Sequence, residues 1–546
     1  MSGMQTGLHA QKALATTVVA DLDALFSVDG IKIPGPDTRI VLVLDGHHTI
    51  KYHRLGLPAK PPTSGKPVLR FEGGEHTAIG DNTLLRFSQD SAPIPAWKVA
   101  LHLPNGLTLS YGQIVALGGD FYGVPERPIA DGANAEERVQ RFAAAFDSLA
   151  VLPASREEAG KILAVMQREI AAANQAIKDG RQPHEAYDQL GDTLSEEWNK
   201  ITGGGSFVSP MFPLGRYLKL AASNWDHFGE WALLAYIAGH TAALRQAVKA
   251  RASGDDGQLE LAYAMNAFAD HFLTDLFSAG HVRVPRKAIK DNVTPADLGS
   301  LISRFMHDED SKYGLVLRNA QGDTWRGYGD KRYFDSIDVA NRKQVGLAVQ
   351  KSADEIFQAF DSGNLPAPTA YGALRIAADL QAAVEGQVPG NFAPLFALRN
   401  GKLMRRADVN NLNDPAQIDN WWGWSTYLLL KDYTPNTPAG YLQAPAGAPS
   451  VRADGWQTQV PSQPNWLPGH AVRYAVSVVN GLNESYIGPW SDYAELTERF
   501  QPTLTVPVDT SGKSVSRNLF RQFRGGSPEL IASLDASTTT YIDQHP

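Results

Sequence analysis

Cysteine is absent from all 546 residues. That excludes disulfides and thiolate metal sites, so any zinc bound here must take its ligands from histidine and carboxylate. It does not fix a compartment, because secreted proteins can also lack cysteine. Long apolar runs are missing as well. No stretch reaches the roughly 18 apolar residues of a membrane span, and the first residues lack the charged-then-apolar order of an ordinary secretory signal. Positive charge is in deficit: 50 Lys and Arg stand against 58 Asp and Glu, a formal net charge of -8. A nucleic-acid partner usually meets a basic face, so none is expected.

What remains is the composition of a globular protein, 43% hydrophobic and 20% charged. The length exceeds a single ordinary core, so more than one domain is expected. Apolar residues recur at helical spacing over 5–27, with His9 near the start of that helix. Residues 31–119 change character. Ile40–Leu44, Val68–Phe71 and Trp97–Leu103 are short β-type runs separated by Gly, Pro and Asp, so this segment reads as a β-rich insertion. Its last apolar run, Ile114–Leu117, delivers Asp120 and then Phe121 and Tyr122 at a glycine-flanked turn. Helical patterns follow over 134–190, 214–223, 226–252, 257–279, 297–307, 334–361 and 369–385. After about 430, prolines mark a linker, and Val472–Val479, Arg517–Phe523, Leu530–Leu534 and Thr538–Asp543 alternate as strands. The last of these resemble fibronectin type III modules. The expected architecture is therefore a mainly α-helical domain over 1–430 with a β-rich insertion, and an all-β sandwich over 431–546.

The densest chemistry lies in Ala267–His281, whose skeleton is His-x3-Asp-x5-His. His271 and Asp275 are four apart, which places them on one helical face, one turn from each other. Gly280 reads as a helix stop, which leaves His281 just beyond the helix end. Nearly all their neighbours are apolar, and a His and an Asp that face an interior must be paired or bind a cation. A wider set shares this character: His9, Asp120, His227, His307 and Asp308 or Asp310. It is rich in imidazole and carboxylate and has no thiol, which suits a catalytic zinc site. His240, on an apolar helix, reads as a buried structural histidine.

Taken with its skeleton, this set resembles the zinc-dependent phospholipase C and single-strand nuclease superfamily. Leu8-His9 is similar to the family's early His, Gly119-Asp120-Phe121-Tyr122 to its Asp-bearing turn, and Asn224-Trp225-Asp226-His227-Phe228 to its Ser-His-Phe. His271, Asp275 and His281 keep the family spacing. The resemblance implies two to three zinc ions, with Asp275 bridging two of them. His281 and His307 would share a third site with Asp310 or Asp308. Asp120 would bind metal and act as base. The implied activity is a phospholipase C that cleaves the glycerol-side phosphodiester of phospholipids, phosphatidylcholine foremost, to diacylglycerol and a phosphorylated headgroup. A phospholipid membrane surface is then the substrate, with Phe121, Tyr122 and Trp225 as an aromatic box for a choline headgroup. Such an enzyme is expected to be secreted, with a cytoplasmic location as the alternative. The alternative functions are a single-strand nuclease or nucleotidase and a noncatalytic zinc-stabilised adhesion protein. The chain departs from the family by having no Trp near His9, and Ser311 stands where the family's last acidic ligand is expected.

Overall fold

A computed structural model describes residues 39–44, 50–55, 73–190, 193–205, 214–294, 296–452, 471–495 and 502–543. The expected helix over 5–27, with His9, and the run Val68–Phe71 lie outside them. About half of the described chain is helical, accompanied by small antiparallel sheets and a group of C-terminal strands.

The helical part is built around α1 (Gly73–Asp81), α2 (Tyr111–Leu117), α3 (Ala135–Ala150), α4 (Ser155–Lys178), α5 (Gly229–Ser253), α6 (Asp256–Asp275), α7 (Ala296–Tyr313) and α8 (Val339–Ser362). The long axis is α6, which packs along α5 and is also touched by α2 and α8. It begins at Asp255, whose carboxylate accepts from Gly257 N (2.9 Å), the usual way to satisfy a first-turn N–H. From Leu259 to Leu276 nearly every side chain is buried, the pattern of a helix enclosed on all sides. Phe142 and Phe146 of α3 meet Phe268 edge-on at 5.6 and 5.8 Å. Such pairs add about 0.5–1.5 kcal/mol each beyond area burial. The aromatic residues of α6 are thus core, and His271 and Asp275 sit beside them: the His271 ring meets Phe272 edge-on at 5.4 Å.

The segment expected to be a β-rich insertion is different in detail. The strands β1 (Arg39–Leu44) and β2 (Ile50–Leu55) form an antiparallel hairpin. Between 73 and 119, however, the strands are two-residue ladders, and the principal elements are α1 and α2. Ile114–Leu117 is helix, not strand. Ser110 and Gln113 close a reciprocal capping box at its start, and the run is buried on all sides. A short continuous apolar run fits a buried helix as well as a buried strand, and only the cap distinguishes them.

Four of the C-terminal strands lie where the sequence reading places them, and short strands at 450–452, 483–484, 494–495 and 503–505 add to them. β3 (Ser450–Arg452), β5 (Thr503–Thr505) and β8 (Thr540–Ile542) make one antiparallel sheet in the order β3-β5-β8. β4 (Ala471–Asn480), β6 (Ser516–Phe523) and β7 (Glu529–Asp535) form the second, in the order β4-β6-β7, with two-residue strands at 483–484 and 494–495 beside β4. Val472, Tyr474, Val476, Leu504, Leu519 and Leu534 from both sheets share one apolar cluster. No helix among the described residues is long and apolar enough to cross a membrane.

Candidate metal centre

The last turn of α6 places His271 and Asp275 side by side, and both are buried. His227 arrives from a 3-10 turn over Asn224–His227, just before α5. His281 arrives from the short helix Ala279–Val282. The three imidazoles crowd one carboxylate. His227 Nδ1 lies 2.9 Å and His271 Nε2 3.7 Å from Asp275 Oδ2, and His281 Nδ1 lies 3.4 Å from Asp275 Oδ1. Asp120, on the turn after α2, has Oδ1 4.0 Å from His227 Nδ1, and its side chain stays partly open to solvent.

Two further residues belong to this cluster, and neither was expected. His76 of α1 reaches Asp275 Oδ1 with Nε2 at 4.0 Å, and its ring lies 4.5 Å from that of His271. Asp330 lies on the loop after a short hairpin. Its Oδ2 is 3.3 Å from His281 Nε2 and 3.1 Å from His307 Nε2, while Oδ1 accepts from Ser278 Oγ (2.7 Å). His76 was hidden because 31–119 read as β-rich. Asp330 carries a sequence signal, since Gly329-Asp330 repeats the glycine-flanked carboxylate of Gly119-Asp120.

The outer nitrogens fix the tautomers. His271 Nδ1 faces Val115 O (2.9 Å), and a carbonyl only accepts, so Nδ1 carries the proton and Nε2 presents a lone pair. The same holds for His281, whose Nδ1–H donates to His227 O at 2.9 Å and whose Nε2 turns to Asp330. Thr274 donates to His271 O, so its oxygen accepts from His76 Nδ1 (2.8 Å) and leaves His76 Nε2 facing Asp275. Backbone and hydroxyl partners of this kind aim metal-binding histidines. His271 Nε2 and His227 Nδ1 stand 3.1 Å apart, two ring nitrogens turned toward the same space.

The electrostatics agree. Burial pushes the Asp275 carboxyl up to about 8, against the pull of His281. Burial and the neighbouring His76 and His227 hold His271 well below the ordinary imidazole range. Burial also takes His76 down to about 4. At the other end, burial opposes the charge on His307, but Asp330 and Asp308 overcome it and raise the imidazole to about 10. Burial likewise opposes charge on Asp330, and the His281 and His307 side chains outweigh it, which drives the carboxyl well below the usual range.

The residues fit bound cations on three observations. Asp275 Oδ2 is buried and accepts no hydrogen bond, a costly state for a carboxylate oxygen. Gly119 has φ +67°, and a Cβ there would stand 2.5 Å from His271 Cδ2 and 2.8 Å from His227 Cε1, so the backbone turn forms one wall of the space between the rings. The donors form four overlapping sets: His76, His271 and Asp275; Asp120, His227 and His271; His227, Asp275 and His281; and His281, His307 and Asp330. His/Asp groups are therefore close enough to hold metal.

Several expected site residues stand elsewhere. Asp310 is fully buried and paired with Arg283, whose Nε and Nη2 donate at 2.9 and 2.7 Å. Both its oxygens are taken, and it joins none of the four sets. Asp308 lies behind His307, accepting from Nδ1 at 2.9 Å on the far side of the ring; it too is outside the four sets. The aromatic box does not form. Phe121 is stacked on Tyr217 at 5.2 Å and edge-on to Trp198 at 5.3 Å. Tyr122 is wholly buried with the Arg216 guanidinium over its ring at 4.6 Å. Trp225 is buried, and Lys287 and Lys290 already lie over it at 4.9 and 4.3 Å. With their faces covered, these rings have none to offer a quaternary amine. His240 is fully buried between Asn266 (2.6 Å) and Glu355 (3.1 Å).

No family model matches the chain. Among curated proteins, part of the chain is similar to spider toxins. It is 35% identical over 79 residues to alpha-latrotoxin-Lhe1a of Latrodectus hesperus, which is 14% of this chain and 5% of that protein. It is 34% identical over 79 residues to alpha-latrotoxin-Lt1a of Latrodectus tredecimguttatus, and 33% identical over 81 residues to delta-latroinsectotoxin-Lt1a of the same species. The chain spans 5–6% of the length of these relatives. These matches overturn the resemblance to the phospholipase C and nuclease superfamily. With it go the phospholipase C activity, its phospholipid substrate, and the nuclease and adhesion alternatives, because the similarity found is to toxins.

Proposed function

We propose that this chain is a metal-dependent hydrolase belonging to a secreted, toxin-like protein. The observation that carries the proposal is Asp275: one buried carboxylate lies within 4.0 Å of imidazole nitrogens from His76, His227, His271 and His281. A purely structural ion pair needs one partner, not four. We take the cation to be zinc, which a donor set of imidazole and carboxylate suits. Bound divalent ions supply Lewis acidity, which acidifies water and polarises an ester oxygen. His76, His271 and Asp275 would hold one ion, His227 and Asp120 a second beside them, and His281, His307 and Asp330 a third. Asp120 keeps its side chain partly open to solvent, and it orients an incoming water or takes its proton. A substrate with several oxygens, a phosphate ester, suits a cluster of this kind. The toxin character rests on the partial likeness to latrotoxins and is a proposal for the whole protein. We keep the division at about residue 430, with 1–430 as the hydrolase domain and 431–546 as a fibronectin type III-like sandwich.

The test is elemental analysis of the purified chain, coupled to hydrolysis of p-nitrophenyl phosphate and bis-p-nitrophenyl phosphate, before and after chelation and after zinc is restored. Bound zinc and chelator-sensitive turnover that zinc recovers are expected. A chain that binds no divalent metal, or one whose hydrolysis is indifferent to chelation, overturns the proposal.

A further inference from the structure

Residues 328–338 form a strap that ties the metal centre to the C-terminal sheets. At its start, Gly329 N donates to Ser311 O of α7 (3.1 Å). Asp330 follows, shared between Ser278, His281 and His307. The next residue, Lys331, has φ +69°, a left-handed conformation that L residues rarely adopt. The surroundings must hold it there. Part of the hold comes from Glu75, the residue before His76: its carboxylate accepts from Lys331 N (3.3 Å) and Tyr333 N (3.2 Å). One carboxylate thus joins the strap that carries Asp330 to the helix that carries His76.

The other anchor lies a few residues on. Asp335 is fully buried. Its Oδ2 faces His184 Nδ1 at 2.7 Å and accepts from Tyr486 OH at 2.9 Å. Arg332 Nη1 donates to the same Tyr486 oxygen at 2.8 Å and lies 3.6 Å from Asp335 Oδ2. Tyr486 belongs to the C-terminal module, between the two-residue strands that flank β4. The module is seated independently at the end of α4, where Trp490 Nε1 donates to Gly180 O (2.9 Å) and Gln522 Nε2 to Ile177 O (2.8 Å). A hydroxyl from a separately docked module thus closes the strap on both sides of its turn.

We infer that Tyr486 is a positioning residue for the metal centre: by joining Arg332 to Asp335 it holds the strap, and through the strap it sets the carboxylate of Asp330. Without the hydroxyl, a half-buried guanidinium donor and a buried carboxylate oxygen each lose a partner. The strap then relaxes from the strained turn at Lys331, and Asp330 moves off His281 and His307. The C-terminal sheets are on this account part of the metal site, although they contribute no ligand to it. The inference rests on the metal reading given above.

The experiment uses the full chain and competitive zinc titration against a chromophoric chelator, which reads the number and affinity of sites without turnover. Asp330→Asn identifies the class of site that contains His281 and His307. Tyr486→Phe is expected to weaken that same class by about 10–100-fold, the range for partners that orient metal ligands, and to leave the other sites at wild-type affinity. Arg332→Lys, which keeps the charge but moves the donor, is expected to weaken the same class. Trp490→Phe, which removes a docking bond remote from the strap, is expected to leave every site unchanged. Wild-type affinity throughout in Tyr486→Phe, or equal weakening in Trp490→Phe, overturns the inference while leaving the metal reading intact. A wild-type chain that takes up no zinc overturns both.

Discussion

Asp275 Oδ2 stands 2.9 Å from His227 Nδ1 and yet accepts no hydrogen bond. The two atoms are close, buried and turned toward the same space that His271 Nε2 also faces. Two electronegative atoms held this close need a proton or a cation between them, and the converging histidines favour the cation.

Asp275→Asn removes the charge at the point where the sets overlap and keeps the volume. Zinc affinity is expected to fall by more than about 100-fold, beyond the range for outer partners. Zinc-dependent hydrolysis should disappear with the chain still folded. Elemental analysis beside circular dichroism reads both, and full zinc content in this variant would remove Asp275 from the centre.

Asp330 and Asp310 should behave in opposite ways. Asp330→Asn is expected to lose the ion shared with His281 and His307 while unfolding near the wild-type temperature when both chains are measured in chelator. Asp310→Asn leaves Arg283 buried without its counter-charge, a loss of about 3–5 kcal/mol, seen as a lower denaturation midpoint. Its folded fraction should retain wild-type zinc. The reverse pattern would restore Asp310 as the ligand.

Gly119→Ala combines a strained φ with a Cβ pressed against His271 and His227. Gly254 has φ +64° but open space around it, so Gly254→Ala should cost only the conformational term, about 1–2 kcal/mol. Zinc stoichiometry is expected to fall in the first variant and to hold in the second. Equal zinc binding in both would show that the backbone turn at 119 does not shape the site.

Chelation should lower the unfolding temperature, because a cation held by folded residues stabilises the folded state by mass action, about 4 kcal/mol at a thousandfold excess over its Kd. Scanning calorimetry with and without chelator, then with zinc restored, measures this. A melting curve that chelator leaves unmoved argues against metal within the fold.

Much of this arrangement is legible in the chain. The four-residue step from His271 to Asp275 places them on one face of any helix, and the apolar spacing around them makes that helix α6. Four of the strands after 470 are legible as β-type runs, although Ala471–Asn480 is buried at nearly every position and does not alternate. Other features were not readable. Ile114–Leu117 is apolar at every position, so its period is undefined and its helix depends on the Ser110 cap. His76 sits in a glycine-led segment whose surroundings suggested strands. For the acidic partner of His307, proximity in sequence suggested Asp308 or Asp310, whereas the carboxylate arrives from 330, beyond a hairpin.

The sequence by itself determined the donor chemistry: with no cysteine, a metal centre here is made of imidazole and carboxylate, and local helix geometry pairs His271 with Asp275. Only the tertiary structure decided which remote groups complete it. Helical spacing tells which side chains share a face, but not what that face meets. On α7, the packing gives His307 to Asp330 and Asp310 to Arg283, and that difference of a single turn separates a candidate ligand from a structural ion pair.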